Sequence, residues 1–206
     1  MTRAPFSRTR GFVSANGGVA AVEMALIAPV ALALLSLVVA TGQSLSAWRR
    51  TNAVAHTVTD LVSRSSNATQ DPVITGAEDL TQSALINDLA LSQLVIYPSD
   101  PSTLRITLTE IKVDSVKNTG AVVWSQAYNG ATPVACNTIF ALNSNITQSQ
   151  ATYLLVGAVS YTFQPLGVTL NLSPITLTSN EFLTIRYASQ IAVTGVSDTT
   201  TFNQCP

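Results

Sequence analysis

Charged side chains are scarce, at 10% of this 206-residue chain against about a quarter in ordinary soluble domains. Ten Lys and Arg nearly cancel eleven Asp and Glu, leaving a formal net charge of −1. That balance gives no broad positive field, which excludes a typical nucleic-acid partner. A single histidine, His56, excludes a His-based metal centre or a His-containing triad assembled within one chain. No glycine-rich phosphate loop is present. Glu110 and Asp114, four residues apart in a strand candidate, share a face and are the nearest approach to a paired-carboxylate site. With no catalytic constellation, the chain is expected to be no enzyme and to take no cofactor and no metal. Cysteine is limited to Cys136, in TPVACNT, and Cys205. In an exported domain these two are expected to form a disulfide, contributing about 4 kcal/mol in the chain-entropy model, whereas in a reducing compartment they stay free thiols.

Apolar residues, by contrast, make up 47% of the chain and are unevenly spread. The stretch from Val19 to Ala40 reads VAAVEMALIAPVALALLSLVVA. As a helix it extends roughly 33 Å, enough for a hydrocarbon core of about 30 Å. Arg3, Arg8 and Arg10 precede it with no acid before Glu23, so the positive-inside rule puts the N-terminus in the cytoplasm and the rest outside. Arg49 and Arg50, just beyond the run, pull against that orientation. A competing reading is a secretory signal peptide cut near Val38-Val39-Ala40. Glu23 argues against it, because a carboxylate inside an apolar span costs about 2.5–3.5 kcal/mol on insertion scales and a signal peptide has no use for one. Gly18 stands at the border of the run, and a cut after it makes Glu23 the fifth residue of the mature chain. Pro29 removes one helical hydrogen bond and predicts a kink.

A basic leader, a glycine, four small or apolar residues, a glutamate and then an unbroken apolar helix form the type IV prepilin signature. The stretch GGVAAVEMALIAPVALALLSL, followed by RRTNAVAHTVTDLVSRS, resembles the N-terminal region of the TadE/TadF/TadG-like pseudopilins over residues 17–65. Two features depart from or blur the pattern: Met24 stands where an aromatic residue is frequent, and Gly17 offers a second glycine. The resemblance implies cleavage between Gly18 and Val19 by a prepilin peptidase. It implies that Glu23 then serves subunit assembly by pairing with a neighbour's new α-amine. It further implies other Tad pilins and pseudopilins and the inner-membrane assembly platform as partners, with roles in pilus biogenesis, surface adhesion and biofilm formation. The layout expected is a cytoplasmic leader over 1–18, a transmembrane helix over 19–42 in the bacterial inner membrane, and a periplasmic domain over 43–206. The alternative is a membrane-anchored periplasmic binding or scaffold module that never enters a fibre.

Beyond the membrane run, Leu45, Trp48, Val54, Ala55, Val58, Leu61 and Val62 recur at helical spacing, predicting one helix over about 19–65. Trp48 suits either an interfacial aromatic belt or a core-facing position. SSNATQDPVITG reads as a loop. A second helix is predicted over about 77–94, with Leu80, Ala84, Leu85, Leu89 and Leu91 buried and Glu78-Asp79 in its first turn. Then the period changes to alternation in LRITLTEIKV, AVVWSQAY, TYLLVGAVSYTF and FLTIRYASQIAVTG, four strand candidates. The fold class is therefore α+β: a long N-terminal membrane-spanning helix continuing into an amphipathic helix that packs on an antiparallel sheet, an arrangement that the resemblance implies is pilin-like. Asn67, Asn145 and Asn171 open Asn-x-Ser/Thr triplets, meaningful only in a glycosylating pathway.

Overall fold

The computed structural model of the chain describes residues 17–64, 78–96, 104–147, 152–164, 173–186 and 189–206. The loop expected at SSNATQDPVITG, Asn67 and Asn171 lie outside them, as does the leader up to residue 16. The helix α1, Gly17–Arg64, matches the predicted first helix and carries Pro29 inside it. Its residues up to Gln43 belong to one compact unit and those from Ser44 onward to a second.

In the second unit the elements that follow α1 are β1 (Glu78–Thr81), α2 (Gln82–Ile96), β2 (Leu104–Asp114), β3 (Thr119–Tyr128), β4 (Ile139–Ala141), the one-turn α3 (Ser144–Thr147), β5 (Tyr153–Phe163), β6 (Ile175–Thr184), β7 (Ile191–Thr194) and β8 (Phe202–Gln204). Six strands form one sheet in the order β4-β3-β2-β5-β6, with β8 also on β3, and every pairing is antiparallel. β1 and β7 form a separate parallel pair. Short connections explain the antiparallel core: β2 and β3 are joined by a tight turn in which Asp114 Oδ1 accepts from the amides of Val116 and Lys117. Asn118 closes that turn at φ 52°, a left-handed conformation that asparagine tolerates.

Alternation sorts the sheet residues onto two faces. Leu104, Ile106 and Leu108 of β2 with Leu155 and Val159 of β5 join Val54, Ala55, Val58 and Val62 of α1 in the main core, which also takes Leu85, Leu89, Ile191, Val193 and Phe202. On the other face Ile111, Val122, Leu142, Leu154 and Val156 make a smaller core. The register shifts between Glu110, opposite Trp124, and Ile111, opposite Val122. Val123 is the extra residue of this bulge. It puts Trp124 on the α1 side while keeping Val122 on the far side, which strict alternation would forbid.

The buried line of α1 runs through Ala47, Thr51, Val54, Ala55, Val58, Thr59, Val62 and Ser63. Leu45, Trp48 and Leu61, expected as apolar-face residues, are instead 40–48% exposed. Register decides this rather than side-chain size: the stripe is made of small residues, which let the helix sit close. A close approach occurs at Gly157 of β5, where a Cβ would meet the Thr59 hydroxyl, with the Ala55 carbonyl oxygen 3.1 Å away. The Thr59 hydroxyl donates back to Ala55 O at 2.7 Å, so it stays folded against its own helix.

Three further sequence expectations are corrected. Residues 78–81 are strand rather than the start of a helix, so Glu78-Asp79 pair with Ile191 and Ala192 and do not cap α2. Leu91 is 55% exposed, because the line through Leu85 and Leu89 continues to Ser92 and Gln93, both buried. FLTIRYASQIAVTG is not one strand. β6 begins earlier, at Ile175, and ends at Thr184, and the chain then turns away as Arg186 donates its amide to Ser63 O and its side chain meets Asp60 at 3.2 Å.

The close approach at Gly157 gives a direct test. Gly157→Ala should destabilise the domain by about 1–3 kcal/mol through overpacking, measured by denaturant unfolding of the full chain in detergent. Adding Thr59→Ala should restore part of the loss, since it removes the atom that the new methyl meets first.

Candidate functional site

The candidate site in the first unit is the N-terminal part of α1. Here the helix is apolar on all sides and uncovered: Val22, Met24, Leu26, Ile27 and Val30 are each at least 60% exposed. Its most apolar window has a mean hydropathy of 2.4, and the helix is long and apolar enough to cross a membrane. A helix apolar all round needs lipid or other helices about it. Gly18 is exposed, and a Cβ there would meet nothing within 4 Å. Glu23 lies four residues, about one helical turn, beyond Val19. Glu23 is exposed and is the one acid between Gly17 and Gln43. Trp48 is half-exposed and followed by the exposed Arg49 and Arg50, placing an amphipathic ring and two cations just past the apolar run. His56 is exposed on the same helix.

In the second unit Cys136 and Cys205 are joined in a disulfide, with Cα atoms 5.2 Å apart. Cys205 also donates its amide to Val123 O. Glu110 and Asp114 do share a face of β2, but four residues of strand separate them by about 13 Å, and they serve different ends. Asp114 caps the β2–β3 turn and pairs with Lys117 at 3.6 Å. The turn amides, Lys117 first, hold its carboxyl below the usual range.

Glu110 is fully buried. One carboxyl oxygen accepts from the amide of Ile191 at 3.1 Å, while Trp124, its cross-strand partner, donates Nε1–H to the carbonyl of the same residue at 2.8 Å. Two side chains thus grip both backbone groups of Ile191 and hold β7 to the large sheet. The other oxygen, Oε2, has no partner among the described residues. Nearby, Gln82 at the start of α2 bonds Gln126 and Asp198 O and accepts from the amides of Ser197 and Asp198. The sequence pattern put Glu110 on one face with Asp114 but did not show this grip. A carboxylate in line with Leu104, Ile106 and Leu108 was the available signal that it turns inward. Among the described residues no group of three or more His, Cys, Asp or Glu could hold a metal ion.

The chain therefore combines one membrane-length helix, uncovered along its first half, with an α+β domain built on the second half of the same helix. Residues 18–60, about a fifth of the chain, match the family model described as TadE-like protein. This TadE-like segment covers Gly18, Val19, Glu23 and nearly all of α1, and connects the chain to Tad pilus assembly in general terms. No curated protein and no solved structure matches the chain.

Burial is the main cause of a raised Glu110 carboxyl, pushed from 4.5 up to about 7, with the Ile191 amide that bonds it and the nearby Trp124 indole N–H opposing the rise. At 1.36 kcal/mol per unit this is roughly 3 kcal/mol. Below about 4.5 the group is protonated in both the folded and unfolded chain, and its full share of stability is present. Between 4.5 and 7 only the unfolded chain releases the proton, so stability falls with rising pH and levels off above the folded value. Glu110→Gln should flatten this slope, so that the variant approaches or exceeds the parent at pH 8 and trails it near pH 5. Denaturant midpoints across that range check it.

Proposed function

We propose that the chain is a minor pseudopilin of a Tad-type pilus assembly system, acting by assembly and binding rather than catalysis in pilus biogenesis, surface adhesion and biofilm formation. The observation that carries this reading is the coincidence of the TadE-like match with a helix uncovered on every side and bearing one carboxylate a turn beyond Val19. In this reading residues 1–18 are a cytoplasmic leader, residues 19–42 span the bacterial inner membrane, and the domain lies in the periplasm. The exposed Trp48 with Arg49 and Arg50 suits the outer interface, where indole and guanidinium groups meet lipid headgroups. The disulfide suits an oxidising compartment.

Prepilin peptidase cleavage after Gly18 gives Val19 a free α-amine. In the apolar layer an isolated Glu23 costs about 2.5–3.5 kcal/mol. Its attraction to a neighbouring subunit's amine at about 4 Å, with an effective dielectric near 20, is about 4 kcal/mol. An undocked subunit therefore bears the cost of the acid, and one docked beside other Tad pilins or pseudopilins at the assembly platform has it offset.

Two measurements test the reading. N-terminal sequencing of protein from its native envelope should begin at Val19, and Gly18→Leu should leave the leader on. A chain that begins at Met1 in the membrane is an anchored scaffold, and one that begins after Ala40 is a secreted domain. Glu23→Gln should be inserted and cut normally but recovered with its pilus partners at least tenfold less, a change of about 1.4 kcal/mol or more. Normal co-assembly of the cut variant would remove the carboxylate from the mechanism.

A further inference from the structure

The face of the sheet opposite α1 is divided. Toward one end Leu154 and Val156 of β5 and Phe182 of β6 belong to the smaller core. Toward the other end the same strands change character. By register Arg105 stands beside Ser160, and Ser160 beside Thr178, in one row across β2, β5 and β6. Thr107, Ala158 and Asn180 form the next row. The short side chain of Ala158 sits in the middle of a ring of longer ones, and the segment Gly130–Thr132 after β3 walls one side. The outcome is an open groove of about 280 Å³.

The groove holds hydrogen-bonding capacity that the fold does not use. Arg105 enters no ion pair among the described residues, and no acidic residue lines the groove. The hydroxyls of Thr107, Ser160 and Thr178 and the carboxamide of Asn180 enter no hydrogen bond there either. One row nearer the smaller core the polar groups are committed: the Thr109 and Ser125 hydroxyls bond each other at 2.9 Å, and Ser125 Oγ accepts from the amide of Val134. The contrast falls between neighbouring rows of the same strands.

We propose that this groove binds an acidic monosaccharide, a carboxylate carried on a hydroxylated ring such as a uronate. One guanidinium matches one carboxylate, with the bidentate geometry that Arg favours. A single cation fits a monoanion better than a phosphate near two negative charges. The neutral donors and acceptors at strand spacing match ring hydroxyls, which both donate and accept. The volume lies near the lower end of the usual range of about 300–1,000 Å³ for small-molecule sites, which suits one sugar ring and excludes a larger ligand from full enclosure. No aromatic side chain lines the groove, so a nucleobase finds no ring to stack on. The inference stands on the second unit alone and does not depend on the pilus reading.

The test is a titration of the full chain in detergent, ¹⁵N-labelled, with glucuronate, glucose and acetate in separate arms. Glucuronate should give saturable shifts at the amides of Thr107, Ala158, Ser160, Thr178 and Asn180. Glucose and acetate should each bind at least tenfold more weakly, the first lacking the charge and the second the ring. Arg105→Gln, at an exposed position and with the rest of the spectrum retained, should weaken glucuronate at least tenfold, and Asn180→Asp should do the same by like-charge repulsion. Equal binding of acetate, equal binding of glucose, an Arg105→Gln protein that binds as the parent does, or no saturable shift with glucuronate would each overturn the proposal.

Discussion

The domain depends on how closely α1 approaches β5. Gly157 offers no side chain, and Ala55 and Thr59 offer small ones, so helix backbone and sheet come nearly into contact. That closeness sets which residues of α1 are buried, and so excludes Leu45, Trp48 and Leu61 from the core although they are larger than the residues that enter it. Close packing makes the arrangement specific, because an interior at crystal-like density has no slack to absorb a methyl group. The helix that bears the TadE-like match thus also fixes the geometry of a sheet that the match does not reach.

A second constraint lies in the sheet. The one-residue bulge at Val123 lets a single strand serve two cores, sending Trp124 toward α1 and Val122 away from it. Trp124 then reaches Ile191 alongside Glu110, and the pair substitutes for a strand by hydrogen-bonding one residue of β7 on both sides. The parallel β1–β7 pair, too small to be stable alone, is kept in place by this side-chain grip and by the Gln82 network at its other end.

Where composition or a long period governs, the sequence was informative. The apolar run and the helical spacing that follows it marked α1 nearly to the residue, and β2, β3 and β5 emerged from alternation in Val, Ile, Thr and Tyr. Where a distant partner decides, it was not. Nothing local in FLTIRYASQ says that the strand stops at Thr184; the break is set by Asp60 and Ser63 on α1, more than a hundred residues earlier. β1 and β8 are too short to show a period, and β1 exists through its parallel pairing with β7. For Glu110 the face was legible and the role was not, since the partners of a buried acid come from strands that the sequence does not place beside it.

The disulfide sets how the domain would carry mechanical load. β8 is only three residues long, and a strand of that length pulled from its C-terminal side would unzip from β3 one bond at a time. The Cys136–Cys205 bond diverts that tension into the loop before β4, which is itself tied down where Val134 donates to Ser125 and accepts from Asn203. Force entering beyond Cys205 is therefore spread in parallel over β8, the covalent bridge and the loop, and the last strand behaves under tension as a riveted seam rather than a peeling edge.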